Sequence, residues 1–593
     1  MAFPNKTNTP IAVDSRTSIP LNPQHITTSN FFELNVAYAM EMVPDNSLKV
    51  EHSLFTRLEP MAVPTFGRAR IQNRAFFVPF RTVWNAWNDF IDDTPNVAQG
   101  NVFIPTTAPI IHNDVFVSFF QKDDISTSVD ADVTADFEFG GDRWVLTPFG
   151  RWCLKIFYSL GYRPVMSQPY NASYSCLPLF CLARIFVDWY YPAQYASSSD
   201  YLFITSLLTK TFVAPNNLSL VGISNADDLL RIMKCMYNVA YDSDYFTSAW
   251  DNPNTPNNGL SSDVSILSLN NSKYNSNDDY AVSINKTTSA TGSSDPFIES
   301  FVSDNSSIAF SEQDLTTLKA LTDYCKRNQI AGSRALDRYL SRFGVRLASE
   351  KLNRCILIES YSQPIQFGDV TSTASTDTAA LGDFAGKGLS YGSGKYVVDS
   401  NGEYGFFIVL SNIIPDVAYY QGLNRHVKHI TRFDFWTPEF DGVATQAIGS
   451  DEVFLPLVKP SGWSTMSGYM QSVWGFTGMY GEYKVAHSLL TGDYSLNSRN
   501  VGKDSWNLYR NVESMFPLEN SVHHDIDFVL TGDKGQYNRI FNDTTDRADK
   551  FNIIHDFNIL SSFPGKSLFD TYEFENEDKA KKVTVDIGGT TLN

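Results

Sequence analysis

Arginine interleaved with aromatic side chains is the combination that grips a single nucleic-acid strand, because guanidinium groups meet phosphates while exposed rings stack on unpaired bases. The chain concentrates that combination in three places. Between Arg57 and Arg81, five arginines, among them Arg68, Arg70 and Arg74, stand against Glu59 alone and are interleaved with Phe66, Phe76, Phe77 and Phe80. Between Cys325 and Arg354, eight basic residues, including Arg334, Arg338 and Arg342, stand against Asp337 and Glu350. The third knot is Arg425-His426-x-Lys428-His429-x-x-Arg432. The competing reading is that these cations form solvated faces or pair with carboxylates of neighbouring subunits, as surface charge runs commonly do.

Other chemistry-bearing patterns are weaker. Gly382, Gly386, Gly388, Gly392 and Gly394-Lys395 invite a phosphate-loop reading, but that motif needs Gly at 389 and Ser or Thr at 396, where Leu389 and Tyr396 stand. The run is expected to be a flexible loop ahead of the next strand. His523-His524-x-x-Asp527 offers metal-ligand residue types, yet adjacent histidines on a strand point to opposite faces, and no His-x-x-x-His or Cys partner accompanies them. Both are expected to be solvated loop residues. Cys176 and Cys181 suit buried small apolar positions beside a helix rather than a nucleophile pair. There is no Gly-x-Ser-x-Gly elbow, and no two carboxylates stand out as a glycosidase pair. Neither enzyme activity, metal nor cofactor is expected.

The elements that must position the basic clusters are mostly strands. Phe32, Leu34, Val36, Tyr38, Met40 and Met42 fall at period two, Pro44-Asp45-Asn46 turns the chain, and Leu48 to Leu58 and Ala69 to Phe77 alternate again. Helical spacing follows at Val83, Trp84, Trp87, Phe90 and Ile91; Thr147-Pro148 reads as an N-cap with Pro at N1, and Gly161 as the stop. Further helices are predicted over Leu179 to Tyr190 and Ala226 to Tyr237, after Ser311-x-x-Asp314 ahead of Leu315, Leu318 and Leu321, and from Leu336 to Phe343 with a stop at Gly344. Tyr404 to Ile414 is a nearly continuous apolar run, the pattern of a strand buried on both faces. Between them, residues 251–310 contain 28 Ser, Thr or Asn among 60 positions and no sustained apolar periodicity, a solvated excursion able to hold only a small satellite fold.

Composition sets the outer limits. The 593 residues are 43% hydrophobic and 14% aromatic, which excludes disordered and collagen-like classes. A net charge of −19 has the wrong sign for a surface that grips phosphate everywhere, so any nucleic-acid contact is a local patch. Six cysteines without a Cys-x-x-Cys pair suit a reducing compartment; the polar segment Met1 to Asn30 lacks the pattern of a secretory signal, and no apolar run is long enough to span a membrane. Strands at both ends of the chain predict a mainly β fold, one β-sandwich or jelly roll with helical and loop insertions: an arm at 1–30, a single domain from 31–250 and 311–572, the excursion at 251–310 and a polar tail at 573–593.

Phe55-Thr56-Arg57-Leu58 followed by Phe76-Phe77-Val78-Pro79-Phe80-Arg81-x-x-Trp84-x-x-Trp87-x-x-Phe90 resembles the N-terminal signature of Microviridae major capsid proteins, especially the gokushovirus-like lineages. Collinear blocks agree: Asp244-Tyr245-Phe246-Thr247-Ser248, Arg342-Phe343-Gly344-Val345, Tyr419-Tyr420-Gln421-Gly422-Leu423 with Thr431-Arg432-Phe433-Asp434-Phe435-Trp436, Tyr480-Gly481-Glu482-Tyr483-Lys484, and Asp504-Ser505-Trp506. The resemblance implies an eight-stranded antiparallel jelly roll and a T=1 icosahedral shell of sixty copies enclosing circular single-stranded DNA. It further implies a virion protein assembled in the bacterial cytoplasm with a scaffolding protein, a small basic DNA-binding protein and a host-surface receptor as partners. Arg68, Arg70, Arg74, Arg334, Arg338, Arg342, Arg425, Lys428 and Arg432 then become the candidate DNA-facing residues. The excursion at 251–310, with Asn271, Tyr274, Tyr280 and Phe297, becomes the candidate three-fold protrusion and receptor-contacting insertion. The rival readings are a carbohydrate-binding β-sandwich of a receptor-binding spike, which predicts a secretion signal or a self-contained lectin-like unit, and a glycoside hydrolase, which predicts an acidic pair.

Overall fold

The computed structural model describes residues 17–63, 65–92, 107–130, 133–166, 172–196, 198–208, 222–251, 268–269, 273–274, 280–281, 284–285, 335–345, 353–368, 387–432, 434–439, 441, 445–456, 469–470, 472–486, 488–494, 503–512, 524–530 and 534–564. The helix predicted after Ser311, the tail at 573–593, Arg334, Asn271, Phe297, His523 and Cys325 lie outside them.

Period-two alternation does in the structure what it does in the sequence. Nine strands form one antiparallel sheet: β1 (Thr17–Leu21), β2 (Gln24–Ser29), β3 (Asn35–Met42), β4 (Ser47–Leu58), β5 (Ala69–Pro79), β6 (Ile356–Gly368), β7 (Lys387–Asp399), β8 (Gly405–Pro415) and β9 (Phe551–Phe563). In β4 the residues Leu48, Val50, His52, Leu54, Thr56 and Leu58 are all buried while Lys49, Glu51 and Arg57 are exposed. Asp45 makes the β3–β4 turn with a left-handed φ of 63°, a conformation Asp tolerates better than most residues. The strand order is β1-β9-β4-β7-β6-β5-β8-β3, with β2 joining β1 along β9. At β6 the sheet divides: its residues up to Ile365 pair with β5, and Gln366–Gly368 pair with β7. The half β1/β2-β9-β4-β7 thereby packs on the half β6-β5-β8-β3, and Leu48, Val50, Val398, Phe557 and Ile559 meet Ala37, Ala75, Phe77, Phe407 and Val409 between them.

The second half of the sheet is covered on its other side as well. Helices α1 (Asn113–Phe120), α2 (Pro148–Ser159), α3 (Leu177–Ile185), α4 (Ser199–Leu208) and α5 (Ala226–Met236) bury Phe116, Trp152, Leu179, Ile204 and Met233 in one core with Val36, Phe76, Val78, Phe406, Ile408 and Leu410. This is why all eleven residues of β8 are buried. Thr147 caps α2 by accepting a 3.1 Å bond from the Gly150 N–H, and Gly161 ends the segment at a φ of 95°. Trp152 Nε1 donates to Leu34 O at 2.8 Å, tying this helical layer to the entry of β3.

Inside the sandwich, the apolar core is split by a polar layer. Register places Asn35, Ser411, Asn73 and Tyr361 directly opposite one another across β3, β8, β5 and β6. On the facing half, His52 Nδ1 is hydrogen-bonded to Tyr361 Oη, and His52 Nε2 lies 3.0 Å from His555 Nδ1. On one side of this layer lie Leu54, Leu58, Ile71, Ile365, Ile413 and Ile553; on the other is the cluster around Phe77 and Phe407.

Two expectations need correction. The glycine run was expected to be a loop, but residues from Lys387 onward form β7, and small residues leave room there for a neighbouring strand's side chains: a Cβ on Gly394 would fall 2.7 Å from the Tyr361 ring, and one on Gly392 would fall 1.9 Å from the flexible end of Gln363 at Nε2. His524 is 1% exposed rather than solvated, its Nδ1 2.5 Å from Tyr195 Oη and its ring edge-on to Trp474. Within 251–310, Ser268–Leu269 pairs antiparallel with Ile284–Asn285, and Lys273–Tyr274 with Tyr280–Ala281, two short strand pairs nested in sequence.

Candidate functional site

The three basic clusters meet different fates. In the first, Arg57 is exposed on β4 and Arg68 is exposed just before β5. Arg70 pairs with Asp242 and lies 3.8 Å from Asp416. Arg74 stands over the Tyr190 ring at 4.9 Å, and Arg81 donates to Glu403 at 2.8 Å. Strand alternation directs Arg70 and Arg74 to the same side of β5, where Arg74 meets Tyr190 of a helical turn and Arg70 meets Asp416 just past β8 and Asp242 beyond the helices.

In the second cluster, helix α6 (Ala335–Phe343) ends at Gly344 with a φ of 67°. Arg342 is half-buried on it, while Tyr339, Phe343 and the following Val345 are exposed. Arg338 lies on the same helix.

The third cluster is turned inward. Arg425 Nη1 donates to Glu452 at 2.8 Å and to the Ala447 carbonyl at 2.7 Å; Lys428 Nζ donates to Asp451 at 2.9 Å; His429 Nε2 is 3.4 Å from Glu482. Asp451 and Glu452 are almost fully buried, so these cations balance carboxylates that would otherwise be desolvated and unpaired. Arg432 is exposed. In the insertion, Tyr274 and Tyr280 are direct register partners.

A group that sequence reading only half found lies next to Arg68. Phe66 is 72% exposed, its ring 5.9 Å from Trp506 at an interplanar angle of 27° and 6.5 Å from Tyr494. Lys503 Nζ stands 4.8 Å from the Trp506 ring. The Phe66 N–H donates to the Trp506 carbonyl at 2.9 Å, which fixes the two segments together. Phe66 and Trp506 were each singled out in separate blocks; Tyr494 and Lys503 carried no local signal, because a sequence separation of more than 400 residues hides the contact.

Among the described residues, no three His, Cys, Asp or Glu side chains are arranged to hold a metal ion. Cys176 and Cys181 are buried as small apolar groups, and burial pushes the Cys176 thiol up to about 12. Among the same residues, no helix is long and apolar enough to cross a membrane.

A two-layered antiparallel sandwich with a helical coat and broad, loop-rich surfaces places this molecule among the β-sandwich proteins of viral capsids. Comparison with known proteins is consistent with that class and narrows it. Residues 8–137 and 145–559 match the family described as capsid protein (F protein), and the chain belongs to that family. It is 22% identical over 546 residues to the capsid protein VP1 of Bdellovibrio phage phiMH2K, covering 84% of this chain and 87% of that one. It is 26% identical over 199 residues to the capsid protein VP1 of Chlamydia phage 1, a match spanning 33% of either chain. Both phages are Microviridae, as the sequence resemblance indicated, and the family is structural rather than enzymatic.

Proposed function

We propose that this chain is the shell-forming major capsid subunit of a small tailless bacteriophage, sixty copies enclosing circular single-stranded DNA with T=1 symmetry. The observation that carries the reading is the strand order. Counting β1/β2 as one, the strands run 1-8-3-6 in one half of the sheet and 5-4-7-2 in the other, an order that supports reading the sandwich as a jelly roll. Such a fold pairs most strand edges internally and leaves its connections free to form wide contacts with neighbouring copies.

In this reading the subunit is assembled in the bacterial cytoplasm with a scaffolding protein and resides in the virion. The insertion at 251–310 is the three-fold protrusion that meets the host receptor, and a small basic protein shares the neutralisation of phosphate that a chain of net charge −19 cannot supply alone. Arg338 and Arg342 line the lumen, so charge reversal at both should lower the DNA content of particles; unchanged content would remove them from that surface. The deciding experiment is negative-stain microscopy of the purified protein, alone and co-expressed with the other genes of its source genome. Uniform isometric particles in either condition support the reading, and monomers in both overturn it.

A further inference from the structure

Among the described residues, Arg70, Arg81, Arg425 and Lys428 are paired with carboxylates and Arg74 stands over the buried Tyr190 ring, which raises the question of which surface still offers charge together with exposed aromatic area. The groove of ≈660 Å³ lined by Phe66, Arg68, Ser362, Gln366 and Phe367 does so. We propose that this groove is a contact site for single-stranded DNA, with bases stacking on Phe66 and phosphates held by Arg68 and Lys503; the proposal rests on the reading that the chain encloses a single-stranded genome.

Three observations converge here. An exposed Phe is costly in isolation, yet Phe66 is held in place: its backbone is bonded to Trp506, the Thr65 hydroxyl donates to the Ser505 carbonyl at 2.6 Å, the Trp506 ring stacks against it and Tyr494 meets it edge-on. A ring fixed with one face open is a stacking platform, because every unpaired base offers a π-face regardless of sequence. The cations flank it. Among the described residues, Arg68 forms no ion pair, and Lys503 lies between Trp506 and Tyr494, at 4.8 and 6.0 Å from their rings. Arg57 extends the basic rim across the fold's corner, since it opposes Leu389 in β7, which opposes Gln366 of the groove. The nearest anion in the groove, Asp416, is shared with Arg70.

Duplex DNA fits poorly, because its bases are already stacked. A second copy of this chain is the competing occupant, and the test separates the two. Purified subunits are titrated with oligothymidylate, following quenching of tryptophan fluorescence, for the wild type and for Phe66→Ala, Trp506→Phe, and Arg68→Gln with Lys503→Gln. Phe66→Ala should weaken binding about five- to a hundred-fold, the range of one lost base stack. Trp506→Phe should remove most of the quenching while retaining affinity. The double charge variant should reduce the salt slope of log K by about 0.7 per removed phosphate contact. Unchanged affinity and slope, or equal competition by duplex, would overturn the proposal. So would variants that bind oligothymidylate like wild type yet form no particles, since the groove would then be a contact between copies. If wild-type particles contain DNA but these variants behave normally, the groove assignment alone is wrong; if the wild type forms no particles, the capsid reading fails instead.

Discussion

The histidines inside the sandwich make the fold acid-sensitive in a calculable way. His52 stacks on Phe557 at 4.2 Å and is hydrogen-bonded to Tyr361 and His555, and burial pushes its imidazole from the ordinary 6.5 down to about 3. His555 is pushed well below 6.5 by its own burial and then by His52 and His25; His25, at the β2 edge with Nδ1 3.0 Å from the Ala37 carbonyl, is lowered too. A base whose folded pKa is depressed stays neutral in the native state while the unfolded chain binds the proton, so stability is full above about pH 6.5 and is lost as pH falls. For His52, at 6.5 unfolded and about 3 folded, the loss between about pH 8 and 5 is about 2 kcal/mol, and the depressed His555 acts in the same direction. That is a substantial part of the typical 5–15 kcal/mol stability of a domain. The assay is urea unfolding of the purified subunit at a series of pH values, comparing wild type with the His52→Gln, His555→Gln double variant. The variant will start less stable because its replacements pack less well, but it should lose less over that pH interval, by at least the about 2 kcal/mol that His52 carries. A stability difference that stays constant from about pH 8 to 5 would refute the reasoning.

Lys155 Nζ lies 2.9 Å from Glu33 and 2.8 Å from Asp549, joining α2 to the segments before β3 and β9; Lys155→Met strands two buried carboxylates and should cost about 3–5 kcal/mol in urea unfolding, with Asp549→Asn in the same chain restoring part of it. Thr147→Ala removes the cap of α2 and should cost about 1 kcal/mol, whereas Thr147→Ser should cost much less by the same measurement. Gly394→Ala drives a methyl into the Tyr361 ring and should cost about 1–3 kcal/mol, more than Gly392→Ala, where the obstructing atoms belong to the flexible end of Gln363; equal midpoints in thermal melts would contradict that account.

β4 and the first part of β5 were legible because burial of every second residue is a local pattern: Leu48 to Leu58 and Ala69 to Ala75 announce it without help from the rest of the chain, before β5 enters the helical core at Phe76. The cap at Thr147, the stop at Gly161 and the doubly buried β8 were legible for the same reason, since caps and continuous apolar runs are local chemistry. The family could be read from short collinear blocks. β7 could not, because its glycines serve the side chains of Gln363 and Tyr361, which arrive from a different strand. Nor could the fate of the basic clusters: Arg425 and Lys428 look like a cationic knot until Asp451 and Glu452 are folded beneath them, while Phe66 gains its support only when Trp506 is stacked against it, with Lys503 over the Trp506 ring. Sequence alone determined which segments bury a face, since burial repeats at short range. Only the tertiary structure decided which charges remain available to a partner, because neutralisation depends on residues distant in the chain that the fold places within a few ångströms.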